Sequence, residues 1–434
     1  MRTRLIVCLV VSVLFAGQTL RAQSIDEQTG RCLNTSDWFG LQRLYTAHAI
    51  EMQPLLRDMS KAMLDHVFAR YDEAVQSIPQ LIRSHQQDLG AANTLSMIHL
   101  YASDLSNMGN NKEAAAKVES VAAQLKASGN VAASAQMVHL AQIYKAMSEY
   151  ELFRNESVKK AIVIPFRLDS IGPKDKRSVQ VIVPSRLNGK QLAVTFDTGA
   201  GVNVISTPMA RKLGLRVYGI PVEAEGEGRN VGRFAIADKL QMGDLVVRNV
   251  PFYVLDITTH VDSVDQYLKH MNCVVGIPLM EAMKEVQFDF SQHHILIPGQ
   301  ESDSDAHNLC MDTQTRNLLM EIRHGDEPFA LVADMGNSGL TTLSNDYFQA
   351  HADAVRAQGT PATFRSGGLG GVTVTECYRL QKFPVTVGDV KVVLPEVNVL
   401  SKPTSRRSNF GIKDFLLFRK VIFNLHKMFL KVEL

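Results

Sequence analysis

Asp197 closes the apolar run Leu192–Phe196 and is followed at once by Thr198-Gly199-Ala200-Gly201; Asp334 closes Phe329–Ala333 and is followed by Met335-Gly336-Asn337-Ser338-Gly339. Each is an ionisable group carried by a buried strand into a tight turn, where glycine permits close backbone approach. Alone, either aspartate reads as a turn residue that accepts hydrogen bonds from its own loop. Together they offer chemistry. Two carboxyls at one place cannot both ionise cheaply, so they share a proton; the pair can then act as a base towards water and an acid towards a leaving group. That chemistry needs no metal and no other cofactor. Paired carboxylates also serve glycoside hydrolysis, but nothing beyond the pair itself points there.

The elements around the two aspartates repeat. Short Val-, Ile- and Phe-rich runs separated by turn residues begin near Asn155 and continue to the C-terminus, which is strand patterning. Asn188-Gly189 is a hairpin signal that feeds the strand ending at Asp197. Hairpins are expected at 222–237, with Gly226 and Gly228 at the tip, and at 364–375, with Gly368 and Gly370 at the tip. Asp197 to Gly276 is 276 − 197 = 79 residues and Asp334 to Gly411 is 411 − 334 = 77, while Gly276 to Phe288 and Gly411 to Phe423 are both 12. Unrelated β domains would not share such offsets. Residues 156–300 and 301–434 therefore read as two copies of one lobe, with Asp197 equivalent to Asp334 and Gly276 to Gly411.

Residues 23–155 read differently. From Trp38 to Phe153 the chain is rich in Ala, Leu, Met and Gln, and Ala114, Val118, Val121, Ala122 and Leu125 lie on one helical face that Gly129 stops. The segments Ala69–Ala74 and Gly109–Ala114 occupy matching places 114 − 74 = 40 residues apart, which resembles a degenerate tetratricopeptide-type repeat. An irregular helical bundle is the other reading. Such a domain would bind a protein partner or brace the β-rich part of the chain.

Composition bounds the rest. A chain of 434 residues, 45% hydrophobic and 21% charged, is of globular type, and 46 basic against 44 acidic residues leave no electrostatic case for nucleic acid or an anionic surface. Met1–Ala22, with Arg2 and Arg4 before an apolar run and Leu20-Arg21-Ala22 before Gln23, has the anatomy of a secretory signal. An exported protein, periplasmic or secreted, is expected, with no transmembrane segment once the signal is removed. Cys32, Cys273, Cys310 and Cys377 would then remain, and they allow three disulfide pairings or separate buried thiols. No Cys-x-x-Cys or His-Glu-x-x-His occurs, so no metal is expected.

The motifs Asp197-Thr198-Gly199-Ala200, Lys212-Leu213-Gly214-Leu215, Val274-Val275-Gly276, Asp334-Met335-Gly336, Gly367–Gly371 and Phe410-Gly411-Ile412 together resemble the pepsin and retropepsin superfamily of aspartic proteases, in particular its retropepsin-like bacterial branch. The resemblance covers nearly all of 156–434 and none of the helical region. It implies that Asp197 and Asp334 are catalytic and hold one water across a cleft. Thr198, Gly199, Ala200, Met335, Gly336 and Asn337 would support the two loops, with Gly276 and Gly411 packed behind them. It also implies that the two glycine-tipped hairpins are flaps over an extended peptide. In the family, each loop threonine bonds across to the other loop. The second copy departs from this at Met335, which has no hydroxyl, at Asn337, and at Asn409, which stands where an apolar residue is usual. The expected architecture is multidomain α + β: a helical bundle or repeat, then a duplicated all-β aspartic-protease-like double lobe. The expected function is an aspartic endopeptidase acting on peptide or protein; the rival is an impaired protease-like scaffold that binds peptides without cutting them.

Overall fold

The computed structural model describes residues 23–171, 178–262, 264–265 and 271–434. The expected signal, 1–22, lies outside them. The chain forms two compact units, one comprising the residues up to Tyr150 with Cys310–Gln314, the other Glu151–Leu309 with Thr315–Leu434. The first is helical and the second is built from β-sheets, an α plus β multidomain architecture.

The helical unit contains α1 (Ile25–Thr35), α2 (Trp38–His48), α3 (Pro54–Val67), α4 (Tyr71–Asn107), α5 (Asn111–Ala127) and α6 (Val131–Met147). Ser24 opens α1 with a capping box: its hydroxyl accepts from Glu27 N at 3.2 Å, and its own amide donates to the Glu27 carboxylate at 2.8 Å. Gly109 and Gly129, both at positive φ, end α4 and α5. The face foreseen for α5 is its buried one: Ala114, Val118, Val121 and Ala122 pack with Met137, Ala141 and Tyr144 of α6, and Leu125 joins them partly buried. The segments at 69–74 and 109–114 do open helices, α4 and α5. But α4 is two helices joined across a break at His85 and Gly90. That break is placed by Gly90, whose φ of 69° is costly for other residues.

The β unit contains β1 (Arg154–Asn155), β2 (Ile162–Pro165), β3 (Arg167–Ile171), β4 (Ser178–Leu187), β5 (Lys190–Phe196), β6 (Val204–Ser206), β7 (Arg216–Glu225), β8 (Arg229–Met242), β9 (Leu245–Leu255), β10 (Cys273–Val275), β11 (Glu285–Asp289) and β12 (His294–Ile297). The later strands are β13 (Leu309–Met311), β14 (Leu318–His324), β15 (Glu327–Asp334), β16 (Thr342–Leu343), β17 (Thr360–Gly368), β18 (Gly371–Val387), β19 (Val390–Leu400), β20 (Asn409–Gly411), β21 (Lys420–Asn424) and β22 (Phe429–Glu433). The turn between β4 and β5 is Asn188-Gly189, both at positive φ, as its type demands.

Two sheets close on themselves in the same way. In the first, β5 pairs β4, β4 pairs β8, β8 pairs β9, β9 pairs β6, β6 pairs β10 and β10 returns to β5. In the second, the ring is β15, β14, β18, β19, β16 and β20, returning to β15. In both rings the strand that delivers the aspartate runs parallel to the strand ending at Val275 or Gly411. The hairpins extend beyond each ring, β7 pairing with β8 and β17 with β18. Both are longer than expected from 222–237 and 364–375, because strand pairing continues past the tips into the rings.

A third sheet, in the order β2-β12-β11-β21-β22, joins the two halves of the unit edge to edge, with Phe288 opposite Val421 and Val286 opposite Phe423. Phe288 is fully buried, and its ring meets Phe196 at 5.4 Å, Phe423 at 6.0 Å and Phe290 at 6.2 Å. Phe196 is the residue just before Asp197, so this aromatic cluster is the floor beneath one of the two aspartate loops. Cys32, Cys273 and Cys377 are buried free thiols, and Cys310 is buried as well. Among the described residues no helix is long and apolar enough to cross a membrane, and no cluster of three or more His, Cys, Asp or Glu is placed to hold a metal ion.

Replacing Phe288 by Ala should destabilise the β unit by about 3–5 kcal/mol, the cost of removing a buried ring and leaving a cavity. Denaturant titration followed by far-ultraviolet circular dichroism measures it, and a loss below about 1 kcal/mol would mean that the shared sheet tolerates the cavity.

Candidate active site

The strand ends fix where the two aspartates stand. Asp197 N donates to Val275 O at 2.9 Å, continuing the β5–β10 ladder by one residue, and Asp334 lies directly opposite Gly411 in the β15–β20 register. Each chain then turns in the same manner. Ala200 N donates to Asp197 O at 3.2 Å and Asn337 N to Asp334 O at 3.3 Å, while Ile277 N donates to Ala200 O at 2.9 Å and Ile412 N to Asn337 O at 3.0 Å. Gly276 and Gly411 sit behind these turns with no room for a side chain: a Cβ would meet Asp197 O at 2.7 Å in one case and Asn337 Nδ2 at 2.8 Å in the other.

Thr198 ties the loops together. Its hydroxyl donates to Ala333 O at 2.7 Å and accepts from Met335 N at 2.9 Å, so one buried oxygen satisfies groups on both sides of Asp334. Met335 is fully buried and offers only its backbone to this brace. The glycines bring the loops closer still. A Cβ on Gly199 would lie 2.5 Å from Asp334 Cγ, and one on Gly336 would overlap the Asp197 carboxyl. Each aspartate therefore rests on the glycine of the opposite loop.

The interleaved glycines set the two carboxyls side by side, and each bears on the other's ionisation. Gly199 N donates to Asp197 Oδ1 at 2.7 Å and Asn337 N to Asp334 Oδ1 at 2.8 Å. There the symmetry ends. Asp334 Oδ2 also accepts from Asn409 Nδ2, and Asn409 is held in turn by Asn337 Nδ2, 2.6 Å from its Oδ1. The register equivalent of Asn409 in the first ring is Val274, which has no such donor. Burial, and then the charge of Asp334, pushes Asp197 up to about 8. Burial raises Asp334 too, but Asn409 and the Asn337 amide oppose it. The pair thus titrates as one unit, and the donors around Asp334 favour the charged form there more than any group around Asp197 does.

The loop residues and hairpin glycines singled out from sequence lie where these loops meet or at the hairpin tips. Thr198, Gly199, Ala200, Met335, Gly336 and Asn337 form the two turns. Gly226 and Gly228 face Leu369 and Gly370: Gly228 N donates to Leu369 O at 3.1 Å, and a Cβ on Gly226 would meet the same oxygen at 2.7 Å. Gly370 N donates to Thr258 O at 2.9 Å, and Gly368 lies against Glu227. Sequence reasoning noticed Asn409 only as a departure and missed its bond to Asp334. It also missed Asn203, whose Oδ1 accepts from Gly276 N at 3.1 Å and whose Nδ2 donates to Pro251 O at 3.1 Å. A polar residue in an otherwise apolar buried run was the available signal for both.

Residues 183–273 match the family model described as Aspartyl protease. The match takes in Asp197 with its loop and the first hairpin. No curated protein matches the chain. The chain therefore carries an aspartyl protease-like domain.

This geometry makes two stability predictions. Thr198→Val should lose about 1–3 kcal/mol, because it strands a buried carbonyl and a buried amide, and Thr198→Ser should recover most of it; equal stabilities for the three would show that the brace contributes nothing. The dyad also gives stability a pH dependence. An acid whose folded pKa is about 8 against an unfolded value of about 3.9 binds its proton in the native state only, so its contribution falls as pH rises through that window. Between pH 5 and 8 wild type should lose stability more steeply than Asp197→Asn, as read by denaturant midpoints; parallel curves would show that the pair holds no extra proton.

Proposed function

We propose that this chain is an aspartic endopeptidase that activates one water between Asp197 and Asp334. The observation that carries the reading is the pair itself: two carboxyls from equivalent strand ends, brought side by side and each cradled on the other's glycine. Asp334, charged and held by Asn409 and Asn337, takes a proton from the water as it attacks the peptide carbonyl. Asp197 gives its proton to the carbonyl oxygen, forming a tetrahedral diol. Collapse of the diol returns a proton to the pair and delivers one to the departing amine, so the pair ends as it began. The hairpins β7–β8 and β17–β18 are the flaps that hold an extended peptide by strand-like bonds.

One observation favours the non-cutting scaffold. Met335 cannot return the bond that Thr198 makes, so the grip between the loops is one-sided. The Asn337–Asn409 pair offsets this by fixing Asp334 from behind, which is why the cutting reading is preferred. The helical unit, read as tetratricopeptide-like, recruits a protein partner or braces the protease part, and the protein acts outside the cytoplasm, in the periplasm or the medium.

Purified mature chain should cleave an unfolded protein on the acidic side of neutrality and lose activity as pH rises past about 8, where Asp197 gives up its proton. Asp197→Asn and Asp334→Asn should each remove activity, and the double variant should be no worse than either, since both changes break one unit. Cleavage by Asp334→Asn at the wild-type rate would sink the dyad. Binding without cleavage across the acidic and neutral range would move the assignment to the scaffold.

A further inference from the structure

The two halves of the cleft differ in chemistry although they share a topology. In the first ring, Val204 lies opposite Val274 on one side and Tyr253 on the other; at the same register in the second ring, Thr342 lies opposite Asn409 and Asn398. The segments entering the turn behind each aspartate differ likewise. Five residues before Gly276 stands Met271, and five before Gly411 stands Arg406 (276 − 271 = 411 − 406 = 5). At these four positions the second half carries the more polar side chain.

The contacts of each hairpin tip with the opposite wall obey the same division. Leu369, the one side chain of Gly367-Gly368-Leu369-Gly370-Gly371 larger than hydrogen, packs against the buried cluster of Val204, Ala224, Leu255 and Val274 on the first half, a cluster that Ala200, Val202, Ile257 and Met271 also flank. The tip of the first hairpin carries Glu227 instead. Its carboxylate accepts from Ser366 Oγ at 2.7 Å and Thr373 Oγ1 at 2.5 Å, and it pairs with the Arg406 guanidinium. Arg406 also donates to Ser366 Oγ at 2.7 Å and lies over the Phe364 ring, 5.3 Å from its centroid. The pair is well shielded, with 21% and 11% of the two side chains exposed. A guanidinium and two hydroxyls that converge on one carboxylate are a carboxylate receptor.

We propose that Arg406, Ser366 and Thr373 form a carboxylate-binding subsite of the second half of the cleft, filled by Glu227 in the free chain and by an acidic side chain of the peptide when the first hairpin lifts. The inference rests on the cleft being a peptide site. Glu227 must leave for a peptide to enter between the tips, and Arg406 would then be a partly shielded cation that has lost its carboxylate, which is unfavourable. A peptide glutamate or aspartate restores the pair, whereas an amide or apolar residue does not. The preferred peptide accordingly has an acidic side chain facing the second half and an apolar one facing the first, where Leu369 sits in the free chain.

The test uses full mature chain and a peptide series identical except for Glu, Gln, Leu or Lys at each position in turn. At one position wild type should favour Glu over Gln by about tenfold or more in kcat/KM, the value of one charge-assisted pair. Arg406→Met should reduce that ratio to near one, and Arg406→Lys should keep part of it. Glu227→Gln, which removes the internal occupant, should lower KM for the Glu peptide relative to the Gln peptide. A flat wild-type profile, or a Glu preference that survives Arg406→Met, overturns the subsite while leaving the peptidase reading standing. If wild type cuts none of the peptides, the peptidase reading fails instead. Calorimetric binding of the same series then decides the subsite: tighter binding of the Glu peptide that is lost in Arg406→Met supports it, and equal affinities overturn it. Should the Arg406 variants fail to fold, the Glu227→Gln comparison decides alone, an unchanged Glu-to-Gln ratio being the overturning result.

Discussion

Two carboxyls that would repel each other are held within hydrogen-bond reach, and the β unit is arranged to make that tolerable. Burial makes a second charge expensive, so the pair keeps one proton. The glycines at 199 and 336 let the loops interleave until each aspartate lies over the opposite backbone. Thr198 locks the approach through Ala333 O and Met335 N. Behind the loops, Gly276 and Gly411 allow the backing strands to come close enough to hold the turns. Any of these contacts alone is worth little; together they over-determine one geometry, which is how buried polarity persists in a folded chain.

The duplication explains the design, and its imperfections explain the division of labour. A symmetric pair would support its two carboxyls alike. Here the second copy has Asn409 where the first has a valine and Asn337 where the first has a small loop residue, and both serve Asp334. The same copy lacks the loop hydroxyl. Polar support from behind takes the place of the brace from in front. The polar character extends outward to Thr342, Asn398 and Arg406, where the first half has Val204, Tyr253 and Met271.

The sheet shared by the two halves is what makes the asymmetry tolerable. Its pairing of β11 with β21 and the ring cluster of Phe196, Phe288, Phe415 and Phe423 fix the halves relative to one another without using the cleft. Buried aromatic area contributes most of such a joint. Cleft residues are then free to change.

The sequence by itself determined the helical and β-rich parts, the two aspartate loops, the hairpins and the equivalence of Asp197 with Asp334 and of Gly276 with Gly411. It could do so because strand period, turn glycines and chain offsets are local quantities written along the chain. The face of α5 and the Asn188-Gly189 turn were legible for the same reason. Only the tertiary structure decided that Thr198 bridges to Ala333 and Met335, that Asn409 donates to Asp334, that β11 and β21 join, and that Glu227 meets Arg406. These partners lie between 75 and 179 residues apart (409 − 334 = 75; 406 − 227 = 179), and side-chain hydrogen bonds carry no periodic signal. The unequal support of the two carboxyls belongs to the same class, because burial and donor geometry arise only when both rings have closed around the pair.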